Sequence, residues 1–548
     1  MKRILKIVTA VIFAFILASC SALPGGTSAS IGGSSSDGPR DNDPVASVPA
    51  KIQSIGFGDE VSIKNDSFYK KYSAEEKALY YTIWDPSAKI SLSIDIEPSE
   101  LYKIQEAYND YKATGNKQKA DTYRRCNLTV NVNGNDYYFE EVGIRMRGNT
   151  SRRNFCTSNG VMYDFVHFRF DLTETFDGDD YSEGAWAHDL YKTWEDSSLR
   201  KARKDRTFAT MEKFYYKWNK NFDKTYVREV YANKMFSAYG VLAPHITLCQ
   251  IKIKQNGIME NLGVGGLYET VDKRFIKRNF EKSLQGGDLY KCGYVSAPAD
   301  FTSASNYGVE TPVQNFTYSL KTNNDRESED YRHNADLKNF INTLNALDER
   351  DGDFEEKLKT VVDVDYFTTF EAVNYLVGNP DCIRHNANNF YLYFTPDKIG
   401  YIIPYDYDRC FGVTRDWNPD GKALTAEKPF DVIGPCFKIS NPLYVKTVLS
   451  GKDNPIKQNY AGKIVAILSE DWFKYANYGK IYKQYADNYS SVAKPSDNVR
   501  KNVSARLAVN EFYFSEKENN SVTAGDNLTV EAYFRFKRNV AENALGIR

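Results

Sequence analysis

Asp381 is followed five residues later by Asn386, and Asp406 stands twenty residues after that, with Asp408 and then Phe411-Gly412 close behind. A carboxylate, an amide at that spacing and a later acidic group before a Phe-Gly pair form the order that phosphoryl transfer from a nucleotide requires. One carboxylate orients the attacking hydroxyl, the amide residue binds metal, and the later Asp holds Mg²⁺ against the phosphates. Asp381 then accepts or orients the acceptor's proton. Asn386 coordinates metal or phosphates, with Asn388 and Asn389 as rivals for that place. Asp406 and Asp408 lie two apart, so on an extended segment they point the same way. Two carboxylates side by side call for a cation, and Mg²⁺ or Mn²⁺ takes the hard oxygens they offer. Either can be the primary ligand. The apolar Ile402-Ile403-Pro404 before them marks a buried strand end.

Cations for the phosphates come earlier in the chain. Arg145 and Arg147 share one face of a strand that runs into the turn Gly148-Asn149, and guanidinium groups grip phosphate oxygens in pairs. Bridging from these arginines to Glu140 or Glu141 across a sheet fits the spacing equally well. Glu229, on a helix beginning near Arg228, is a partner for a phosphate-binding cation, or else a surface pair with Lys234 or Arg228. Glu269 and Asp272 follow a strand and would line a hinge. The glycines between Asn261 and Glu269 read as a hairpin.

Other chemistries are disfavoured. The five histidines are scattered, with no His-Glu-x-x-His pair, and neither a Gly-x-Ser-x-Gly elbow nor a Walker Gly-Lys-Ser/Thr string occurs. With 71 Lys and Arg against 72 Asp and Glu, the chain has no general pull toward nucleic acid. None of the eight cysteines is in Cys-x-x-Cys spacing, which argues against zinc. They read as mostly reduced or buried thiols, although Cys382 and Cys410 are near enough to the site segments to pair.

The elements that must position these residues divide the chain. Residues 1–19 carry the basic Lys2, Arg3 and Lys6 and a short apolar run, ending in Leu17-Ala18-Ser19-Cys20. That is a signal peptide with a lipobox, and the Cys20 thiol would take the lipid. Residues 20–50 are rich in Ser, Gly and Pro, without aromatics, and read as a flexible tether. Residues 51–275 are strand-dominated: 90–96, 126–132, 137–140, 142–146, 166–172 and a hairpin of 248–254 with 266–270. Helices are expected over 98–112 and 226–239. Residues 276–548 turn helical, at 337–347, 364–377 and much of 441–548, with short strands at 389–394 and 401–404. The expected fold class is α+β and bilobal, with a strand-rich, nucleotide-clamping N-lobe and a helix-rich C-lobe.

Taken in order, these residues resemble the CotH family of spore-coat and secreted kinase-like proteins. The markers are Ser93-Ile94-Asp95 with Leu101, Gly143 to Ser151, Arg228-Glu229, Gly266-Leu267-Tyr268-Glu269 with Asp272, and Asp288 to Lys291. They continue with Gly378-Asn379-Pro380-Asp381, His385-Asn386, and Pro404-Tyr405-Asp406-Tyr407-Asp408 with Phe411-Gly412. The resemblance runs from about Ile90 to near the C-terminus. It implies an atypical protein-kinase-like fold that uses ATP and Mg²⁺ or Mn²⁺ to phosphorylate Ser or Thr of secreted or surface proteins. It carries over Asp381 as the catalytic-loop acid, Asn386 as a metal ligand and Asp406 to Asp408 as the metal-binding segment. Family members place Lys residues on the strand after the Arg-Gly-Asn-Ser turn. Here that strand is Asp164 to Asp171, and Arg169 or His167 stands where the phosphate-gripping Lys is expected. The expected location is the outer face of the cell membrane, through the Cys20 anchor. Alternative readings of the same features are a non-catalytic surface scaffold on a kinase-like fold, and transfer of AMP from ATP.

Overall fold

Ile90, Leu92 and Ile94 are fully buried while the residues between them are half-buried, and this alternation makes β1 (Ile90–Asp95) one stave of a barrel. The remaining staves are β2 (Arg124–Val132), β3 (Asn135–Arg147), β4 (His167–Asp171), β5 (Lys213–Trp218), β6 (Ile246–Gln255) and β7 (Ile258–Glu269). They close in the order β1-β2-β3-β4-β5-β7-β6, with β1 and β6 parallel and every other pair antiparallel. The structure is a computed structural model. It describes residues 66–115, 121–148, 151–178, 192–221, 223–295, 297–310, 314–323, 334–413, 421–432, 440–502, 512–516 and 528–547, which pack as one compact unit. The lipobox with Cys20 and the Ser/Gly-rich tether lie outside these residues. Among them no helix is long and apolar enough to cross a membrane.

Two of the barrel's turns follow from Asn-Gly pairs. Asn133-Gly134 and Asn256-Gly257 have positive φ at both residues, the backbone that joins twisted antiparallel strands tightly. The segments 137–140 and 142–146, expected as separate strands, are one strand, β3. The break between them is a bulge: the β2–β3 register shifts between Cys126 and Leu128, and Glu141 has φ 48°. The strand β5 has no counterpart in the sequence reading, and closure into a barrel was not anticipated either.

The second half is α+β as well. A second sheet has the order β12-β11-β8-β10-β9, formed by β8 (Leu289–Cys292), β9 (Tyr307–Gly308), β10 (Tyr318–Leu320), β11 (Phe390–Phe394) and β12 (Gly400–Pro404). Around it pack α1 (Arg228–Ala238), α2 (Val364–Val377), the single turn α3 (Ile383–Asn386), α4 (Pro455–Ser469) and α5 (Val530–Leu545). Helix α2 is buried on every face and stops at Gly378, whose φ of 56° supplies the left-handed residue that ends a helix.

Two hydrophobic cores result. One fills the barrel, with Leu92, Leu128, Ile144, Phe168, Phe214 and Ile251. The other lies between the second sheet, the helices and the outer face of β5 and β7. It is built on rings such as Tyr231, Phe236, Phe370, Tyr407 and Phe411 and includes Tyr215 and Tyr268 of the barrel strands. The contact between barrel and second core is where the chemistry-bearing side chains meet.

Candidate active site

Lys217 stands on β5, Glu229 on the first turn of α1, and Asp406 and Asp408 just past β12. The fold brings these four together. Lys217 Nζ donates to Asp406, lies 3.0 Å from Asp408 Oδ2 and is 3.1 Å from Glu229 Oε2. Tyr268 of β7 donates its hydroxyl to Glu229 Oε2 at 2.6 Å. Burial alone would lower the Lys217 pKa, but Asp406, Asp408 and Glu229 outweigh it and hold the ammonium well above its ordinary value. Burial pushes the Glu229 carboxyl up, with Asp408 and Asp406 adding to the rise and Lys217 opposing it. Burial pushes Asp406 the same way, but Lys217 wins there and the carboxyl is held below the usual range. Asp406 has φ 62°, so this segment is not extended; the two aspartates converge because a turn folds both onto one ammonium.

Asp381 forms the other half of the site. Its Oδ1 accepts from the side-chain amides of Asn386 at 2.6 Å and Asn388 at 2.9 Å, and its Oδ2 from Asn389 at 2.9 Å. The three amides that the sequence left as rivals thus hold one carboxylate between them. Burial raises the Asp381 pKa, against the amide donors Asn388 and Asn386, and the nearby Asp406 raises it further. Asn379 joins the halves: its side-chain oxygen accepts from the Asp381 amide at 3.2 Å, and its nitrogen reaches the Asp406 carbonyl at 3.4 Å.

The donor set fits a divalent cation. Carboxylate oxygens of Glu229, Asp406 and Asp408 lie within 4.8 Å of one another. Asn386 must turn its nitrogen to Asp381, so its oxygen faces away, and that buried oxygen has no partner among the described residues. Carboxylates and a spare amide oxygen are what Mg²⁺ or Mn²⁺ takes. A small open cleft lies beside the carboxylates, lined by Lys217, Glu229, Tyr268, Asp408 and Gly266 among others.

The other sequence candidates are placed unevenly. Arg147 sets its guanidinium carbon over the Tyr215 ring, 3.3 Å from its centre, and donates to the Tyr405 hydroxyl at 2.7 Å, next to Asp406. Arg145 is taken by Asp121. Neither bridges Glu140 or Glu141, and Glu141 pairs instead with Lys192 and Arg203. Arg169 lies on β4, opposite Arg145 and Tyr215. Glu269 is not brought to the site. It is 1% exposed, bound to Arg278 and, at 3.0 Å, to the Tyr80 hydroxyl. Asp272 caps the helix Lys273–Asn279. Glu229 is no surface pair, since Lys234 is spent on the Trp84 carbonyl. Cys382 and Cys410 are both buried free thiols, not a disulfide, like every other cysteine among the described residues.

The residue that sequence reasoning missed is Lys217. The strand Asp164 to Asp171, where the resemblance places a lysine, carries His167 and Arg169 instead. The lysine comes from the next strand of the barrel. His167 takes a structural part: its Nδ1 accepts from the Trp218 amide at 3.2 Å, and burial keeps the ring neutral by pushing its pKa far down. Lys213-Phe214-Tyr215-Tyr216-Lys217-Trp218 does carry the signal of an aromatic-rich strand with both lysines on one face.

Comparison with known protein families matches residues 184–519 to the CotH kinase protein family. The chain belongs to the CotH kinase family. The match covers more than half of the chain and is narrower than the stretch from Ile90 onward that the sequence suggested. It contains Lys217, Glu229, Asp381, Asn386, Asp406 and Asp408. It leaves out Arg145, Arg147, Arg169 and helix α5. Membership in the CotH kinase family makes this a kinase-like protein. No curated protein matches the chain.

Beneath the Asp381 turn lies a buried charge cluster. Glu427 accepts from Arg384 Nε at 3.0 Å and His385 Nε2 at 2.9 Å and lies 3.3 Å from Lys537 Nζ, all fully or nearly fully buried. Burial would raise the Glu427 pKa, but Arg384, His385 and Lys537 hold it well below the carboxylate range. On acidification the unfolded chain therefore takes up this proton first, so stability present above the unfolded value of about 4.3 is lost as pH falls below it. We expect the urea midpoint to drop between about pH 5 and pH 3, and Glu427→Gln to flatten that drop while lowering the midpoint at pH 5. Removing one partner of a buried charge cluster costs about 3–5 kcal/mol.

Proposed function

We propose that this CotH kinase transfers the γ-phosphoryl group of ATP to Ser or Thr hydroxyls of extracytoplasmic proteins. The observation that carries the reading is the ion pair of Lys217 with Glu229, set against Asp406 and Asp408, with the amide-held Asp381 joined to it through Asn379. Asp406, Asp408 and Asn386 would hold Mg²⁺ or Mn²⁺, which when bound offsets phosphate charge and polarises the transferring group. Lys217, kept cationic by its three carboxylates, draws the nucleotide's phosphates toward the same place. Arg147, set over Tyr215, presents a rigid guanidinium to them. Asp381 orients the acceptor hydroxyl and takes its proton. The pKa raised by burial makes it a better base than an exposed Asp.

The same residues support transfer of AMP, and the product separates the two. Intact mass of an acceptor protein incubated with ATP and Mg²⁺ should rise by one phosphoryl group. A gain of an adenylyl group would overturn the proposal in favour of AMP transfer. ATP binding by calorimetry should depend on the divalent ion, and Asp406→Ala should abolish that dependence, with affinity falling at least about tenfold through a loss of about 1.4 kcal/mol. ATP that neither binds nor reacts would leave a binding scaffold.

We place the protein on the outer face of the membrane, tethered through Cys20, on the strength of the lipobox Leu17-Ala18-Ser19-Cys20. Cys20→Ser should move it from the membrane fraction to the soluble fraction. Retention in the membrane fraction would contradict the anchor.

A further inference from the structure

Helix α5 (Val530–Leu545) lies outside the residues matched to the family, and its side chains reach both segments that carry the site carboxylates. Lys537 is fully buried. Its Nζ lies 3.3 Å from Glu427 Oε2, 3.0 Å from the Leu424 carbonyl and 3.7 Å from the centre of the Tyr375 ring. Glu427 passes the contact on through His385 Nε2, and His385 Nδ1 holds the Asn379 carbonyl at 2.8 Å. Asn379 is the residue that ties Asp381 to Asp406. A continuous chain of polar contacts therefore runs from α5 to the centre of the site.

Two aromatic contacts run beside it. The Tyr533 hydroxyl donates to the Leu376 carbonyl at 3.2 Å and fills the space where a Cβ on Gly378 would stand, just before the Asp381 turn. Phe534 stacks on Phe411 at 5.2 Å and 20°, directly behind the Asp406–Asp408 segment. Phe411 has φ 49°, and its carbonyl is held by Arg228 Nη1 at 2.7 Å. The left-handed backbone there persists only where neighbours fix it.

We propose that α5 is a positioning element of the site, with Lys537 and Tyr533 setting the geometry of the Asp381 turn and Phe534 that of the Asp406–Asp408 segment. A structural filler at position 537 needs no charge, and a buried ammonium is costly to keep. Here the charge fixes the second oxygen of Glu427, leaving the first to hold His385 and Arg384 in place. Its loss lets the turn drift while the fold stands, since Glu427 keeps two cationic partners.

The kinetic arm of the test rests on the phosphoryl-transfer reading, and the exchange arm does not. Both use the full chain, comparing wild type with Lys537→Met and Tyr533→Phe, and with Gly378→Ala alone and combined with Tyr533→Phe. Hydrogen exchange by mass spectrometry should quicken over residues 379–388 in Lys537→Met and stay unchanged in the barrel strands. The kcat for label transfer from ATP should fall ~10–100-fold with KM for ATP within about twofold, as a small displacement remote from the chemistry predicts. Gly378→Ala should lose activity both by straining the left-handed backbone at φ 56° and by crowding the Tyr533 hydroxyl, and Tyr533→Phe should restore only the part due to crowding. Unchanged exchange and unchanged kcat in Lys537→Met would overturn the proposal, as would exchange quickened uniformly over the whole chain. If wild type transfers nothing, phosphoryl transfer fails as the function, and the exchange data alone decide the brace.

Discussion

Asp381→Ala is expected to lower phosphoryl transfer by ~10²–10⁴-fold while ATP binding stays near the wild-type value. A positioned general base is worth that range, or about 3–5 kcal/mol in the barrier at 1.36 kcal/mol per tenfold. The split between kcat and binding follows from the geometry. Asp381 touches Asn386, Asn388 and Asn389 but neither Lys217 nor Glu229, so its loss leaves the cation and its carboxylates as they are. Asp381 is half-buried, so the vacated position lets water reach the three amides, and the thermal midpoint should move little. Rapid-quench transfer assays beside equilibrium ATP binding check both parts. A variant that keeps full rate removes Asp381 from the chemistry.

Lys217→Met carries the second large effect, and it acts on binding, rate and stability together. Without the ammonium, Glu229, Asp406 and Asp408 face one another unneutralised. Removing one partner of a buried ion pair costs about 3–5 kcal/mol, and the lower end applies because the two aspartates keep some water. Transfer should fall at least ~100-fold, and ATP affinity with it. The stability loss has a distinctive remedy. Mg²⁺ offers the charge that the side chain no longer supplies, so the variant's thermal midpoint should rise with Mg²⁺ more steeply than that of the wild type. Equal slopes in the two proteins would show that the carboxylate cluster does not take the ion.

The contrast between what the sequence made legible and what it did not is one of local against tertiary information. Asp381 and Asn386 are five apart and meet within one turn, so their nearness is local information that the spacing carries. The Asn-Gly turns were readable because two consecutive positive φ values select those residues. Lys217 and Asp406 are 189 residues apart, and only the closure of the barrel against the second sheet joins them. The strand carrying Lys217 is short and has no Gly or Pro before it to announce a start.

Glu269 was misplaced for a simpler reason. Side chains alternate along a strand, and Tyr268 faces Glu229 in the site, so Glu269 must face away, into the cluster with Arg278. The two arginines of β3 show the converse. They share a face, as their spacing requires, yet Asp121 captures Arg145 and leaves Arg147 alone beside Tyr405. Alternation tells which face a side chain takes, and only the neighbours on that face tell what it binds. The cysteines follow the same logic. Cys382 and Cys410 are close in the site segments, but each is enclosed by its own packing, and burial pushes the Cys410 thiol far up, away from thiolate chemistry.

The central claim is that Lys217, Glu229, Asp381 and the Asp406–Asp408 segment together perform phosphoryl transfer. Incubating the chain from Ala46 to Arg548 with γ-labelled ATP, Mg²⁺ or Mn²⁺ and a generic Ser/Thr-rich acceptor tests it most directly, beside Asp381→Ala and Asp406→Ala. The account predicts label on protein hydroxyls that requires the divalent ion and vanishes in both variants. Label that persists in the variants, or none from a wild type that binds no nucleotide, would contradict it.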